Sequence, residues 1–383
     1  MPSVPEIDPA AFERDLREGA DVVVLDTRPP HAFAEWHVQP ARGRTINVTE
    51  SELYAEPEKA RGLVHDASPL YVICNSGTAS RRVAELLEEH GIEALSVHGG
   101  MIGWSRVLRR DDVLVAGPFS VVQFRREARG CLSYLVVAGR EALVVDPGPD
   151  VQPYLNEAEA RGAGIVRVFD THIHADHLSG ARELAERTGA TLSLSPASLA
   201  RGVSYADRVD TLADGDVFDL GGETVRAVAL PGHTSDMTGL LLGHVALIGG
   251  DSLFADSVAR PDLEAGDEGA DEGARQLHHT LHAKIDPLPG STLLLPCHYA
   301  GGRLDGPLAV PLADVRRDVP ELGLGEEAFV ERILGQMPPK PANFVAIIGV
   351  NLGDEIAADD AARLEIGANN CAAKAEWAHA TMQ

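Results

Sequence analysis

The feature that most constrains this chain is a short run of metal-ligand side chains, THIHADH, at residues 171–177. The run follows the apolar segment IVRVFD (165–170) directly and precedes a predicted helix over residues 178–188. Three imidazoles and one carboxylate within six residues are costly to bury unless a cation lies among them. The sequence therefore predicts a fold in which the end of a buried strand carries a metal-binding loop.

Further side chains of the same types follow later strands in the same way. His233 lies in PGHTS after TVRAVAL, Asp251 in GGDS after VALIGG, and His298 in LPCHY after TLLL. Because each follows a strand end, we expect all of them to meet the THIHADH loop at one rim of the fold. The full set of candidate metal ligands is His172, His174, Asp176, His177, His233, Asp251 and His298.

A second candidate site is Cys74, which follows the apolar strand LYVI (70–73) and precedes NSGTASR and a predicted helix over residues 79–91. The carboxyl ends of strands in a parallel sheet are where such sheets bind ligands. A short loop that closes onto a helix N-terminus points backbone N–H groups inward and stabilises an anion such as a thiolate. Arg81 adds positive charge. The alternative interpretation is a buried structural cysteine at a strand end.

The order of strands and helices indicates two domains of the α/β class. A length of 383 residues is typical of two domains, and residues 1–112 alternate strands with helices, which predicts a parallel sheet. Residues 113–383 begin with a meander of closely spaced strands, including FSVVQF and ALVVDPG. For this second domain we expect two sheets packed face to face with helices outside, wrapped by the last 50 residues of the chain.

Three segments of the second domain carry local expectations. The segment LLLGHVALIGG (240–250) predicts a strand, and the acidic run Glu264–Glu272 predicts a surface loop. The segment RQLHHTLHAKI (275–285) predicts a helix. We interpret His278, His279 and His282 on that helix as surface or packing residues.

Composition and charge narrow the classes of protein. The net charge of −25 repels phosphate backbones, so we expect no nucleic-acid partner. No segment approaches the roughly 20 uninterrupted apolar residues of a membrane helix, and MPSVPEIDPAAFERDL lacks the apolar core of a secretory signal. The four cysteines form no CxxC pair, which fits a reducing compartment. These features predict a cytoplasmic protein without a membrane partner.

Residues 6–112 resemble the rhodanese-like sulfurtransferase family. VLDTRPPHAFAEWH (24–37) is similar to its early strand–turn–helix segment, CNSGTASR to its active-site loop, and LSVHGGMIGW (95–104) to its closing strand, glycine pair and tryptophan. In that family the loop cysteine carries sulfur as a persulfide, so the resemblance implies a catalytic role for Cys74, with Arg81 beside it. Asn75 and Ala79 leave fewer charges on the loop than a thiosulfate dianion favours.

Residues from 113 to about 350 resemble the metallo-β-lactamase superfamily through HxHxDH, PGHT, GD and the final histidine. The resemblance implies an αββα sandwich whose chemistry is usually hydrolysis by a metal-bound hydroxide. Dinuclear members imply a first metal site of His172, His174 and His233, a second of Asp176, His177 and His298, and Asp251 as the bridge between them.

Within the superfamily, THIHADH followed by LSG is most similar to the persulfide dioxygenase branch, which uses a single iron ion. This resemblance implies one Fe(II) per chain, held by His172, His233 and Asp251 as a facial triad suited to O₂ chemistry. The other four candidates, His174, Asp176, His177 and His298, would then orient the ligands and hydrogen-bond bound water. Glyoxalase II shares THxHADH, so a site with two zinc ions is the alternative.

Together the two resemblances predict an enzyme of sulfur metabolism. It would oxidise a low-molecular-weight persulfide, such as glutathione persulfide, with O₂ to sulfite at a mononuclear iron, and it would move sulfane sulfur between thiosulfate, sulfite and thiols at Cys74. One alternative is a dinuclear zinc hydrolase of the glyoxalase II type with a rhodanese-like accessory domain. A non-catalytic sulfur carrier or sensor is another, against which the two intact sites argue. Members of the superfamily commonly pair, so a homodimer is also among the expectations.

Overall fold

The computed structural model describes residues 5–18, 21–63, 70–113, 117–299 and 304–373. These residues form a five-stranded sheet near the N-terminus, then a seven-stranded and a six-stranded sheet. The predicted α/β class and the succession of a parallel-sheet unit and a two-sheet unit are confirmed. Within these ranges, no helix combines the length and the apolar character that crossing a membrane requires.

The N-terminal unit is built on a parallel sheet with the strand order β1-β5-β4-β2-β3. Its strands are β1 (Glu6–Ile7), β2 (Val22–Asp26), β3 (Gly43–Asn47), β4 (Leu70–Ile73) and β5 (Leu95–Val97). Its helices are α1 (Pro9–Glu18), α2 (Pro30–Glu35), α3 (Glu50–Ala55), α4 (Glu58–Leu63), α5 (Thr78–Glu89) and α6 (Gly100–Ser105). Every residue of β2 and β4 is buried, because an all-parallel sheet is covered by helices on both faces.

The seven-stranded sheet has the order β12-β11-β10-β9-β8-β7-β6. Its strands are β6 (Leu108–Val113), β7 (Ser120–Arg126), β8 (Cys131–Ala138), β9 (Glu141–Val145), β10 (Gly164–Phe169), β11 (Thr191–Leu194) and β12 (Val209–Thr211). Strands β6 to β9 form the antiparallel meander, and β9 to β12 are parallel. Strand β6 pairs with β7 along its whole length, so all of β6 belongs to this sheet. The domain boundary expected after residue 112 therefore lies within β6.

The six-stranded sheet follows the chain order from β13 to β18. Its strands are β13 (Val217–Leu220), β14 (Glu223–Ala229), β15 (Thr238–Leu242), β16 (Ala246–Gly250), β17 (Leu293–Pro296) and β18 (Val310–Pro311). The prediction of one strand over residues 240–250 is wrong, because this segment is the hairpin of β15 and β16. Gly243 turns the chain with φ of +52°, which glycine adopts without a side-chain clash. The residues on both sides of this turn are apolar, so the sequence pattern does not indicate the turn.

The two sheets of the C-terminal unit pack face to face, with helices on their outer faces. The helices are α7 (Gln152–Ala160), α8 (Ala181–Thr188), α9 (Pro196–Ala200), α10 (Gly266–Thr280), α11 (Leu312–Asp318), α12 (Glu326–Leu334), α13 (Phe344–Leu352) and α14 (Ala358–Leu364). The core between the sheets includes Tyr134 and Val145 from one sheet and Val225 and Ile248 from the other. Helices α7 and α8 cover the seven-stranded sheet, and α10, α11 and α12 cover the six-stranded sheet. This is the αββα sandwich that the resemblance implied.

The acidic stretch that predicts a surface loop is in fact the start of a helix. Helix α10 begins at Gly266, and Asp267 and Glu268 lie in its first turn, where negative charge stabilises the helix dipole. Its buried face includes Ala270 and Ala274. The loop prediction is wrong from Gly266 onward, because these small residues give the sequence no strong apolar stripe.

A C-terminal strap, residues 365–373, contacts both units. Ile366 and Ala368 pack against the apolar core of the N-terminal unit. Further along the strap, Ala372 forms an antiparallel bridge with Ala259 of the C-terminal unit. The segment expected to wrap the second domain therefore also reaches the first.

The strap begins at a buried ion pair. Glu365 accepts a hydrogen bond from Arg126 at 2.7 Å and one from the backbone N–H of Leu178 at 3.1 Å. Arg129 donates to the carbonyls of Glu365 and Gly367. Burial disfavours the charged carboxyl, but the guanidinium groups of Arg126 and Arg129 outweigh it and hold the pKa of Glu365 below its usual range.

We expect Glu365→Gln to lower the free energy of unfolding by about 3–5 kcal/mol at pH 7, because it leaves the buried Arg126 without a charge partner. Since the folded pKa of Glu365 is lowered, its contribution is complete above the ordinary value of about 4.3 and is lost as the pH falls through the folded value. Urea unfolding at several pH values measures this difference. The exposed Glu355→Gln is the control and should change stability by less than about 0.5 kcal/mol. Equal effects of the two variants would contradict the role of the ion pair.

Candidate functional site

The candidate ligands meet where strands of both large sheets end. His172 follows β10, His233 follows β14, Asp251 follows β16 and His298 follows β17. Because β10 belongs to the seven-stranded sheet and the other three strands to the six-stranded sheet, the site joins the two sheets. Glycine is required directly before Asp251. At Gly250 φ is +57°, and a Cβ would lie 1.9 Å from Cε of Met237.

Three of these side chains point ligand atoms at one another: Nε2 of His172, Nε2 of His233 and Oδ2 of Asp251. The three atoms lie within 4.8 Å of each other, and Asp251 Oδ2 is 3.9 Å from His172 Nε2 and 3.6 Å from His233 Nε2. All three are buried, and in the part of the chain that the structure describes none of them has a hydrogen-bond partner. Buried polar atoms are almost always paired, so this gap fits a metal cation.

Both imidazoles of this triad are neutral and oriented as ligands. Burial lowers the pKa of His172 well below its usual value and also lowers the pKa of His233. His233 Nδ1 donates to the carbonyl of Arg260 at 2.7 Å, and His172 Nδ1 lies 3.0 Å from Oγ1 of Thr171. These contacts orient each ring so that its Nε2 lone pair points into the gap. A hydrogen-bond partner on the other ring nitrogen orients metal-bound histidines in the same way. Two imidazoles and a carboxylate form the donor set of non-haem Fe(II) sites.

Asp176, His177 and His298 form a neighbouring cluster whose polar atoms pair with one another. His298 Nε2 lies 2.8 Å from Asp176 Oδ2, and His298 Nδ1 lies 2.6 Å from Asp251 Oδ1. Burial opposes a charge on His298, but the two carboxylates outweigh it and raise the pKa of His298 well above its usual value. His298 therefore bridges Asp176 and Asp251 through both of its ring nitrogens. His177 Nδ1 lies 3.1 Å from the other oxygen of Asp176.

His174 belongs to neither group, and its Nε2 lies 3.0 Å from Oδ1 of Asp146. Burial opposes protonation of His174, but the Asp146 carboxylate outweighs it and raises the pKa of His174 to about 9. Asp146 also accepts hydrogen bonds from the backbone N–H of Thr171 at 2.7 Å and from Sγ of Cys297 at 2.6 Å. The His174 side chain thus anchors the THIHADH loop to the end of β9.

Asn351, which the sequence does not single out, clamps the same loop from α13. Its Nδ2 donates to the carbonyls of His174 and His177, both at 2.9 Å. Its Oδ1 accepts a hydrogen bond from the backbone N–H of Ser179 at 3.0 Å. One buried amide therefore fixes both ends of the segment that contains Asp176.

Asp146 and Asp236 are two further supports that sequence reasoning missed. Asp236 accepts a hydrogen bond from the backbone N–H of Ile173 at 2.9 Å and pairs with Arg201 at 2.6 Å. A weak signal exists for each support residue. Asp146 and Asn351 are polar residues within the apolar runs ALVVDPG and VAIIGVNLG, and Asp236 comes shortly after PGH.

Two cysteines from distant parts of the chain also reach this region. Cys131 Sγ lies 3.4 Å from Oδ2 of Asp176, and Cys371 of the strap has its Sγ within 4.8 Å of ligand atoms of Asp251 and His298. Burial raises the pKa of Cys371 well above its usual value, so this side chain is a neutral thiol. The strap thereby closes the metal region on one side.

The Cys74 loop is held by the glycine turn between β5 and α6. Cys74 is 5 % exposed, and its Sγ lies 3.5 Å from Oγ of Ser80. Its carbonyl accepts a hydrogen bond from the backbone N–H of Met101 at 2.8 Å. At Gly100 φ is +56°, and a Cβ there would lie 2.2 Å from the Cys74 carbonyl oxygen, so the close approach requires glycine. The cysteine is fixed at the carboxyl end of β4.

Helix α5 follows the loop, and Arg81 lies in its first turn with an exposed side chain. Gly77, with φ of +85°, precedes the helix. The adjacent Arg82 forms an ion pair with Glu50 at 2.7 Å. The structure thus places Cys74 beside a helix N-terminus, as the sequence predicts, and places Arg81 on the solvent side of that helix.

Two family models match the chain, the rhodanese-like domain over residues 8–107 and the metallo-beta-lactamase superfamily over residues 126–298. Persulfide dioxygenase ETHE1 of Homo sapiens is 30 % identical over 219 residues, which are 56 % of this chain and 79 % of the human protein. The chain belongs to the metallo-β-lactamase superfamily. Its metallo-β-lactamase domain carries the histidine and aspartate centre, and its rhodanese-like domain carries Cys74.

A hydroxyacylglutathione hydrolase of Acidiphilium cryptum is 40 % identical over 124 residues, which are 32 % of this chain and 49 % of that protein. The match therefore spans about half the length of this relative. The crystal structure of ETHE1 from Myxococcus xanthus is 29 % identical with a TM-score of 0.51, covering 64 % of this chain and 98 % of that one. The metallo-β-lactamase domain is thus similar both to proteins named as dioxygenases and to proteins named as hydrolases.

Asn351→Ala should weaken metal binding about 10–100-fold, because it releases the carbonyls at both ends of the ligand loop. Competition with a chelator, followed by metal analysis, measures this loss. Asn156→Ala removes an exposed amide on α7 and should retain metal as the wild type does. Equal metal retention by all three proteins would show that the Asn351 clamp does not support the site.

Proposed function

We propose that the protein is a persulfide dioxygenase that uses one iron ion per chain and carries a sulfurtransferase site at Cys74. The observation that carries this proposal is how the candidate ligands pair. Ligand atoms of His172, His233 and Asp251 are unpaired among the described residues and face one gap. Asp176, His177 and His298 hydrogen-bond to one another instead.

The bridging role of His298 supports one ion over two. A dinuclear site needs a neutral His298 with a free lone pair and needs Asp251 to bridge two ions. Both ring nitrogens of His298 instead hold carboxylate oxygens, at 2.6 Å and 2.8 Å. This arrangement leaves Oδ2 of Asp251 as the oxygen that faces the gap.

A bound Fe(II) would supply the redox chemistry by which O₂ oxidises the terminal sulfur of the persulfide. The overall balance is one persulfide, one O₂ and one water giving one thiol, one sulfite and two protons. His172, His233 and Asp251 would hold the ion. His298 would hold Asp251 in position through the 2.6 Å contact of its Nδ1 with Oδ1 of that carboxylate. The buried side chains around the centre, including Cys371, exclude bulk water from it.

The relatives support the same proposal. The human persulfide dioxygenase is matched over 79 % of its length, and the hydroxyacylglutathione hydrolase over 49 %. The rhodanese-like domain adds to this, since a sulfur-carrying cysteine has a direct use beside persulfide oxidation. The substrate class we propose is a low-molecular-weight persulfide such as glutathione persulfide, with thiosulfate, sulfite and thiols as further small-molecule partners.

At the rhodanese-like domain, the Cys74 thiolate would attack the sulfane sulfur of a persulfide. A new S–S bond forms at Cys74, the original S–S bond breaks, and the carrier thiol leaves as a thiolate. The N-terminus of α5 stabilises the negative charge on the loop. The four cysteines are all free and buried, which suits the reducing cytoplasm that we propose as the location.

One observation favours the dinuclear zinc hydrolase as the second candidate. Cys131, Asp176, His177 and His298 offer four ligand atoms within 4.8 Å of each other, a set that zinc accepts. Zinc binding there would displace the proton from His298. The identity of 40 % to a hydroxyacylglutathione hydrolase points in the same direction.

Replacement of His172, His233 or Asp251 by Ala should empty the iron site and abolish persulfide-dependent O₂ uptake. His298→Ala should retain one iron per chain, because His298 holds Asp251 and does not itself face the gap. Metal analysis and oxygen-electrode measurements test both expectations. The exposed His244→Ala is the control and should match the wild type in both. If the wild type binds two metal ions per chain and His298→Ala binds only one, the single-iron assignment is wrong.

Exposure to glutathione persulfide should add one sulfur, about 32 Da, to the peptide that contains Cys74. The other three cysteines, Cys131, Cys297 and Cys371, should remain unlabelled because none of them lies in a loop before a helix N-terminus. Cys74→Ser should remove the added mass and the sulfur transfer while sparing persulfide-dependent O₂ uptake. Mass spectrometry that finds equal labelling on all four cysteines would mean that Cys74 is not a dedicated sulfur carrier.

A further inference from the structure

A second histidine cluster lies outside the metal centre, at the end of α10. His278 and His282 are one helical turn apart and lie on the same face of the helix. Their ring centroids are 4.3 Å apart, and their Nε2 atoms are 3.0 Å apart. Two imidazole nitrogens bound to one tetrahedral zinc ion at about 2.0–2.1 Å are about 3.3 Å apart. The separation in this pair is therefore within a few tenths of an ångström of the separation needed to share an ion.

Contacts on the other side of each ring orient the pair. His282 Nδ1 lies 2.7 Å from Oδ2 of Asp286, so the ring donates there and keeps its Nε2 lone pair free. Nε of Arg316 lies 3.7 Å from the second oxygen of Asp286. A carboxylate that holds the far nitrogen of an imidazole is the usual partner of a metal-bound histidine. The His278 ring packs edge-on against Phe329 at 5.2 Å.

The backbone at this point also departs from regular helix. His282 lies in a π-helical turn, Leu281–Ile285, that continues α10. Such turns are rare and occur frequently at functional sites. The carbonyl of Leu324 lies 3.1 Å from His278 Nε2, so a third polar atom faces the pair. His278 and His282 are half-buried, which leaves the pair open to an ion from solvent.

We propose that His278 and His282 form a binding site for a divalent transition-metal ion of the zinc, nickel or copper class, separate from the centre at His172, His233 and Asp251. Imidazole nitrogens suit these ions, and two histidines four residues apart on a helix form a common half of a zinc site. On binding, His278 takes the tautomer with its proton on Nδ1, so that the Nε2 lone pairs of both rings form metal–nitrogen bonds. Water completes the coordination.

The site has a structural route to the metal centre through the packing of α10. Leu277 packs against Gly232, where a Cβ would lie 2.4 Å from Cα of Leu277, and Gly232 directly precedes His233. Thr280 donates to the carbonyl of Pro231 at 2.6 Å. An ion held at the end of α10 therefore stabilises the element on which the His233 loop rests. The binding itself does not depend on which metal occupies the main centre.

Zinc titration of the iron-loaded full-length protein tests the proposal, with iron and zinc counted in each sample after removal of free metal. The wild type should bind one more zinc per chain than His278→Gln or His282→Gln. His279→Gln, which alters the exposed histidine between them, is the matched control and should bind zinc as the wild type does. Asp286→Asn should weaken zinc binding about 10–100-fold without changing the iron content.

The proposal is wrong if the zinc content and affinity of His282→Gln equal those of the wild type, or if His279→Gln loses as much zinc as His282→Gln does. Both His278→Gln and His282→Gln alter half-buried side chains on the outer helix layer, and unchanged iron content and thermal unfolding will show that they are folded. If zinc displaces iron from the main centre, the difference of one zinc between wild type and His282→Gln still reports on this site.

Discussion

The bridge that His298 forms between the carboxylates of Asp176 and Asp251 is the interaction that ties together the elements around the metal centre. The three side chains come from the loop after β10, from the end of β17 and from the end of β16, so this contact joins the two sheets of the sandwich. Nε2 of His172, Nε2 of His233 and Oδ2 of Asp251 face one gap, whereas the ring nitrogens of His298 lie against Asp176 and the other oxygen of Asp251.

Contacts from distant parts of the chain hold this arrangement. Asn351 fixes the carbonyls at both ends of the ligand loop, and the strap that begins at Glu365 places Cys371 beside Asp251. Earlier in the strap, Ile366 packs on the core of the rhodanese-like domain. The two candidate sites are therefore joined through a single segment, although their chemistry uses different residues. Changes in the N-terminal domain have a physical route to the metal centre.

The sequence predicts the two-unit α/β fold and the chain positions of the candidate ligands, because each ligand directly follows an apolar strand. It does not predict which ligands pair, since the hydrogen bonds of His298 depend on residues 47 and 122 positions away. Asn351 is missed for the same reason, as its partners lie 174 and 177 positions away. Local sequence patterns also fail to predict elements whose structure is determined by small buried residues or by a single glycine. The buried alanines of α10 and the turn at Gly243 leave no clear apolar signal.

The most direct measurement compares the same metal-free protein after reconstitution with iron or with zinc under anaerobic conditions. Each form receives glutathione persulfide and O₂, and separately a glutathione thioester. If the centre at His172, His233 and Asp251 is a mononuclear oxygenase site, only the iron form will consume O₂, with one sulfite formed per O₂, and neither form will hydrolyse the thioester at a significant rate. Thioester hydrolysis by a form that binds two zinc ions per chain, with no O₂ uptake by the iron form, would contradict this function.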